Sequence, residues 1–283
     1  MKIIDLTPEH EALYFSCLEP WSDEMKDRGD DKERWYARYR DRGLFVKLAQ
    51  DDDGAVVGMI QALPIEESWI EGEDLDVVLC TWVHGHDEGV GNRQGRGAGT
   101  LLLESVEDNA RARGRKGVAA WGLGIPVWMK ASWYRKHGYR RVDRDGMAVL
   151  LLKAFDPAAV EPRWLRRQRT PPPASDGPVE VTCFVNGWCP VMSISATRAE
   201  RVCSRYSDDV VTFTTVVTTD PDVRRDWGIV DGLYVGDRSM RTGPPPSEER
   251  IGKRIDRAVR GPWWRRRAVE TDTEAVSTDP ETR

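Results

Sequence analysis

Gln94-Gly95-Arg96-Gly97-Ala98-Gly99 stands between an apolar run, Leu75 to Val83, and a stretch in which Leu101, Leu102, Val106 and Ala110 recur at helical spacing. The order predicts a strand, a glycine turn and an amphipathic helix that stops at Gly114, with Arg111 and Arg113 in its last turn. At a helix start the first backbone N–H groups lack intrahelical acceptors and carry partial positive charge, so such a turn can hold a pyrophosphate. A glycine-rich loop without a ligand is the alternative reading. The turn lacks the Lys-Ser or Lys-Thr of a Walker A loop, and it follows several strands where a dinucleotide fold would place it after the first.

Working outward, Lys2 to Leu6 reads as a strand, Pro8 to Glu19 as a helix capped by Thr7, and Asp23 to Asp41 as a charged second helix. Leu44 to Gln50 and Ala55 to Leu63 flank Asp51-Asp52-Asp53-Gly54, a hairpin signal. After the glycine turn come a strand at Val118 to Leu123, a helix at Val127 to His137 and a strand at Met147 to Lys153. Asp156-Pro157, a basic Arg166-Arg167-Gln168-Arg169 run and Pro171-Pro172-Pro173 then mark a semi-stiff linker. Beyond it, Val179 to Val185 reads as a strand, Met192 to Tyr206 as a helix and Asp209 to Val217 as a strand. Leu233 to Val235 and Met240 form a hairpin, and Ser247 opens a last helix. The expected division is 1–156, a linker at 157–178, a smaller domain at 179–262 and a disordered tail at 263–283.

The 283 residues carry 42 Lys plus Arg against 47 Asp plus Glu, a net charge of -5 that excludes a globally basic nucleic-acid binder. No apolar run reaches the length of a membrane span, acidic residues interrupt the start before a signal peptide can form, and the five cysteines are an odd, dispersed set. A cytoplasmic protein with reduced thiols and no membrane or nucleic-acid partner is expected.

Gln94 to Gly99 matches the Gln/Arg-x-x-Gly-x-Gly/Ala signature of the GNAT superfamily of acyl-CoA N-acyltransferases, and Trp133-Tyr134-Arg135-Lys136-His137-Gly138-Tyr139 resembles its aromatic-Tyr-x-x-x-Gly-aromatic signature. The resemblance covers roughly Lys2 to Phe155 and implies an α/β (α+β) fold with a central mixed sheet. It implies that Trp82, Val83, Gln94, Gly95, Arg96, Gly97, Ala98, Gly99 and Thr100 bind acetyl-CoA, a cosubstrate, with no metal. It also implies that Tyr134 protonates the leaving thiolate. Val127 stands where many relatives have a cofactor-contacting asparagine, and His84 to Arg93 form an insertion before the turn.

An amine must lose a proton before it attacks a thioester, and imidazole titrates near neutrality, which makes His84 or His86 a reasonable base, His84 being the named candidate. Glu66, Glu67 and Asp76 are carboxylate rivals, and residue type does not choose among them. His84, His86, Asp87 and Glu88 have no diagnostic metal spacing and read as a solvated loop.

Asn186-Gly187-Trp188-Cys189-Pro190, Trp227-Gly228-Ile229 and Thr242-Gly243-Pro244-Pro245-Pro246 resemble the thioredoxin-like YoaP-like domains that follow some bacterial acetyltransferases. Cys189 opens a helix, where the dipole favours its thiolate, but Met192 replaces the resolving thiol of a Cys-x-x-Cys motif. Cys183 and Cys203 are the candidates to resolve an oxidised Cys189. The leading expectation is transfer of an acetyl group from acetyl-CoA to a small amine in a ternary complex. The alternative is a monothiol redox or thiol-binding protein acting through Cys189, its first domain sensing CoA.

Overall fold

The computed structural model describes residues 1–125, 128–173, 177–240 and 244–261. Val127, part of Thr242-Gly243-Pro244 and the expected tail at 263–283 lie outside the described residues.

The first half is a seven-stranded mixed sheet. It comprises β1 (Lys2–Asp5), β2 (Phe45–Gln50), β3 (Val56–Pro64), β5 (Leu75–Val83), β6 (Gly117–Leu123), β7 (Arg140–Asp145) and β8 (Ala148–Ala154), in the order β1-β2-β3-β5-β6-β8-β7. All pairings are antiparallel except β5 with β6. The Asp51–Gly54 hairpin joins β2 to β3 as the sequence predicts: Gly54 N–H bonds Asp51 O at 3.0 Å and Asp51 N–H bonds Ala55 O at 2.8 Å. Every residue of β3 is buried, as suits a strand with material on both faces.

Helices α1 (Pro8–Phe15), α2 (Asp31–Tyr39), α3 (Ala98–Ala112) and α4 (Ala131–Lys136) pack around this sheet. The single charged helix expected over Asp23 to Asp41 divides at Gly29, φ +63°, into a 3-10 turn (Asp23–Asp27) and α2. Among the described residues of the expected Val127 to His137 helix, only Ala131–Lys136 is helical. β7 escapes a hydrophobicity reading because it is an edge strand of charged, largely exposed residues with Val142 as its one apolar side chain.

The segment expected as a bare spacer is partly docked. β4 (Ile70–Glu71) pairs with β9 (Arg163–Trp164), Trp164 is buried, and Arg166 makes an ion pair of 2.7 Å with Asp143. The apolar Trp164 anchors a run whose charges alone suggested solvent.

A second sheet follows, made of β10 (Val179–Val185), β11 (Val211–Val217), β12 (Gly232–Val235) and β13 (Arg238–Met240) in the order β11-β10-β12-β13. β10 and β11 are parallel and the other pairings antiparallel. α5 (Pro190–Cys203) and α7 (Glu248–Val259) pack on it, Ser247 capping α7 by accepting from Arg250 N–H. A short helix, α6 (Pro221–Trp227), precedes Gly228 and is capped by the Asp220 carboxylate.

The two sheets meet through packed chain. Trp188 and Cys189 belong to the first hydrophobic core, with the Trp188 ring 5.3 Å from Trp69 and 5.9 Å from Trp121. Arg198 and Arg201 of α5 both reach Asp27, at 3.0 and 2.8 Å, and hold its carboxyl below the usual range. Gly187 sits at this boundary with φ +91°, and a Cβ there would lie 2.6 Å from the Asp31 carbonyl oxygen. Gly187→Ala should therefore destabilise the protein by about 2 kcal/mol or more, through left-handed strain plus a backbone clash. Urea unfolding checks this, and an unchanged midpoint would remove Gly187 as a constraint on docking.

Candidate active site

β5 and β6 pair only at their beginnings, Leu75 to Val78 against Gly117 to Ala120. Past that point β5 continues along β3 as far as Val83, and β6 continues along β8 as far as Leu123. The β3–β5 register shifts between Gln61 and Ala62, which pair with Cys80 and Val78, so Leu79 is the extra residue of a bulge. The Leu79 carbonyl, turned out of the ladder, accepts the Trp121 indole N–H at 3.0 Å. The strands thus part above a bulge, and a cleft of about 520 Å³ opens there.

The cleft is lined by Thr81, Trp82 and Val83 from β5, by Gln94, Gly95 and Gly97 to Thr100 from the glycine turn, and by Trp128 to Lys130, Trp133 and Tyr134 around α4. Gly95 and Gly97 have φ of +76° and +86°, a left-handed geometry that glycine adopts without a Cβ penalty. The first intrahelical bond of α3 runs from Leu101 N–H to Gly97 O at 3.1 Å, so the amides of Ala98, Gly99 and Thr100 precede it. No atom lies within 4 Å of where a Cβ would stand on Gly95 or Gly97, and both glycines line the cleft.

The turn is braced from both sides. Gln94 donates through Nε2 to Val83 O at 3.3 Å, and its own N–H bonds Asn92 Oδ1 at 3.0 Å. Thr100 Oγ1 bonds His137 Nε2 at 3.0 Å, while His137 Nδ1 lies 2.9 Å from Trp133 O. A carbonyl only accepts, so Nδ1 carries the hydrogen and Thr100 donates to Nε2. This ties the first turn of α3 to α4, whose Trp133 packs over Gly99.

Tyr134 is buried, its hydroxyl 3.2 Å from Thr81 Oγ1, and burial pushes its pKa well above the ordinary tyrosine value. The phenol stays protonated at neutral pH and can donate a hydrogen bond into the cleft. Trp82, Val83, Gln94, Gly95, Gly97, Ala98, Gly99 and Thr100 are all brought together here. The side chain of Arg96 points away, 4.0 Å from Asp51. Thr81, Trp128, Met129, Lys130 and Trp133 also line the cleft. Of these, Trp133 is the aromatic that opens the second recognised motif, and no spacing signal marked the others.

His84 does not fit the role of base. It is buried, its Nδ1 donates to Gly91 O at 3.0 Å, and its Nε2 accepts the Trp21 indole N–H at 3.3 Å. With both ring nitrogens engaged it has no free lone pair for an ammonium proton. Its backbone closes the inserted loop instead, donating to Val57 O at 2.9 Å and accepting from Arg93 N–H at 2.9 Å. His86 is half exposed, stands between the Trp21 and Trp82 rings, and lies 3.4 Å from Glu19 Oε1. Burial raises the Glu19 pKa.

The carboxylate rivals are removed from the cleft by distance and by partners. Asp76 is buried between Arg113 and Arg115, Glu66 pairs with Arg115 at 3.2 Å, and Glu67 pairs with Arg42 at 3.4 Å. Asp76 is the second residue of β5, about 16 Å along the strand from Thr81 at roughly 3.3 Å per residue. Among the described residues, no group of three or more His, Cys, Asp and Glu is placed to hold a metal ion, and no helix is long and apolar enough to cross a membrane.

Cys189 is the N-cap residue of α5, and it is buried. Cys183 and Cys203, expected as its partners, instead lie in the core of the second sheet.

Residues 6–139 match the model of the Acetyltransferase (GNAT) family. No curated protein matches the chain. Among solved structures, similarity is found to a GNAT-family acetyltransferase from Staphylococcus aureus, 15% identical, with a TM-score of 0.42 over 55% of this chain and 99% of that one. A putative acyl-CoA N-acyltransferase from Klebsiella pneumoniae is 16% identical, with a TM-score of 0.40 over 54% and 96%. The PaiA N-acetyltransferase from Thermoplasma acidophilum, solved in complex with coenzyme A, is 16% identical, with a TM-score of 0.41 over 54% and 98%. The glycine turn and Tyr134 both fall inside the matched residues, and the region 6–139 is an acetyltransferase domain of the GNAT family.

Proposed function

We propose that this protein transfers an acetyl group from acetyl-CoA to the amine of a small acceptor, by direct attack within a ternary complex. The observation that carries the reading is the cleft between the parted ends of β5 and β6, with open amides of the glycine turn at one side and the Tyr134 phenol at another. Those amides suit a pyrophosphate, and the edge of β5 that β6 leaves open beyond Val78 suits the extended, amide-containing arm that follows it in CoA. Lys130, on the cleft wall, adds positive charge.

The chemistry follows from these groups. The acceptor ammonium, with an ordinary pKa of about 10.4, gives up a proton before its nitrogen attacks the thioester carbonyl. His86, backed by Glu19, is the better placed of the two loop histidines to take that proton, since its ring reaches solvent. The C–N bond forms, the C–S bond breaks, and the departing thiolate accepts a hydrogen bond or proton from Tyr134. The exposed Trp128 face, beside Trp121, is suited to an approaching ammonium.

The domain reading is that 1–156 is catalytic, 157–178 connects, 179–262 is a thioredoxin-like YoaP-like domain, and 263–283 is a tail. The order β11-β10-β12-β13, with only β10 and β11 parallel, supports the thioredoxin-like assignment.

Tyr134→Phe should lower kcat by about 10²-fold, the lower range for a general acid, and leave the Kd for acetyl-CoA within twofold. Single-turnover CoA release with calorimetric binding tests this, and equal turnover would dismiss the phenol as the acid. Gly97→Val should weaken CoA binding about tenfold or more, because strain of 1–3 kcal/mol is placed on the turn. Because burial raises the Tyr134 pKa, the phenol is the protonated form on both sides of neutrality. Activity should therefore rise with pH as the base and acceptor deprotonate, with no falling limb from Tyr134 below about pH 10. A descending limb abolished by Tyr134→Phe would contradict this.

A further inference from the structure

Trp121 follows Ala120, the last residue of β6 that pairs with β5, and its indole reaches across the point where the strands part: the ring N–H donates to Leu79 O at 3.0 Å. Among the described residues, three other indoles meet its ring. Trp128, 5.6 Å away between ring centres, lines the cleft. Trp164, at 6.4 Å, belongs to the connector, and Trp188, at 5.9 Å, belongs to the second half of the chain. Trp121 thus touches the cleft wall through one neighbour and is backed by two that lie outside the acetyltransferase domain.

The two backing rings are held differently. Trp164 is buried and its indole N–H has no hydrogen-bond acceptor among the described residues, so packing alone sets it. Trp188, 4% exposed, is tied at both ends. Its indole N–H donates to Asp231 Oδ2 at 2.8 Å, and its backbone carbonyl accepts from Lys32 Nζ at 2.5 Å and from Gln61 Nε2 at 3.0 Å. The other oxygen of Asp231 accepts Asn186 N–H at 3.0 Å, which fixes the start of the same loop. The Trp188 ring also meets Trp69, at 5.3 Å. In a close-packed interior a large ring tied in this way cannot shift without moving its neighbours.

The parts of the cleft that suit CoA are braced by bonds outside this stack. Gln94 bonds Val83 O, Thr100 bonds His137, and Tyr134 bonds Thr81. A displacement of Trp188 therefore reaches the cleft through Trp121 at Trp128, the face suited to the acceptor ammonium, and spares the glycine turn.

We propose that Trp188, oriented by Asp231, is a positioning residue for acetyl transfer, acting through Trp121 to set the Trp128 face that meets the acceptor. The second half of the chain then supplies the backing of the transferase site. Its effect on catalysis rests on the acetyl-transfer reading, whereas the coupling of Trp188 to Trp128 does not.

The test uses the full chain labelled with fluorotryptophan, its Trp128, Trp133 and Trp188 lines assigned by single substitutions to Phe. In Asp231→Ala the Trp188 indole loses its acceptor, so the Trp188 and Trp128 lines should both shift in the fluorine spectrum, while the line of Trp133, which packs over Gly99, stays in place. With benzylamine as the probe acceptor, Asp231→Ala should raise KM for the amine about fivefold, the scale of one weakened cation–π contact, and leave the Kd for acetyl-CoA within twofold. A purely structural role would instead reduce the amount of active protein, lowering kcat at unchanged KM. Trp188→Phe, which keeps a ring but has no N–H, repeats the comparison if Asp231→Ala does not fold. A Trp128 line that stays put while the Trp188 line moves, or a lower kcat at unchanged KM, overturns the proposal. The fluorine lines decide the coupling whether or not benzylamine is turned over, and calorimetry of the wild type with acetyl-CoA decides the transfer reading separately.

Discussion

A ladder that stops halfway along two neighbouring strands leaves backbone donors and acceptors to find other partners, as Leu123 N–H does at the end of β6 by bonding Met129 O at 2.7 Å. β5 and β6 tolerate this because each keeps its outer neighbour, β3 and β8, along the open part. The gap therefore costs one edge of each strand and not both. The bulge at Leu79 adds local twist that turns β5 aside, and the Trp121 indole satisfies the carbonyl released there. The rest of the site depends on this parting. It admits α4 and Tyr134 beside Thr81, and it gives a ligand held at the glycine turn an extended groove to follow.

A second constraint acts behind that groove. The Lys32 ammonium is held by Gln61 from β3 and by Trp188 from the second half of the chain, and Gln61 also donates to the Trp188 carbonyl at 3.0 Å and accepts from Tyr14 at 2.6 Å. A buried charge loses much of its hydration, so undocking the second half would strip it of one fixed partner. Asp231 completes the arrangement from the other side, accepting Asn186 N–H and the Trp188 indole N–H and so fixing the loop that carries Trp188 and Cys189. Burial pushes the Asp231 carboxyl up to about 6. The two sheets are therefore coupled through polar contacts that shape complementarity alone would not specify.

How much of this could be read from residues depended on how far each cause reaches along the chain. The glycine turn was legible because its effects are local: left-handed φ at Gly95 and Gly97, then helix-start amides without acceptors. β10, β5 and the hairpin at Asp51–Gly54 were legible for the same reason, through composition and turn chemistry. β7 was hidden because an edge strand needs few apolar residues, and α6 because seven residues give little periodicity, although Asp220-Pro221 is a reasonable cap. Trp164 was visible inside the arginine-rich connector. Its partner Ile70 lies in another part of the sequence, so its docking could not be read there.

The histidines and cysteines show why residue type alone does not define chemistry. His84 is the right residue type for a base, but a base needs an available lone pair, and Trp21, 63 residues away, occupies it. His86, two residues on, keeps a ring open to solvent because the same tryptophan meets it through ring contact alone. Cys189 was singled out by its place at a helix start, a local property, yet the carbonyl just before it, that of Trp188, is held by Lys32 from the opposite half of the protein. In each case local sequence nominates a group and a distant partner decides whether its reactive orbital is free, filled or charged. A mechanism drawn from motifs is therefore secure where the working atoms are backbone amides in one turn, and it must be rebuilt from contacts wherever a proton or an electron pair is to move.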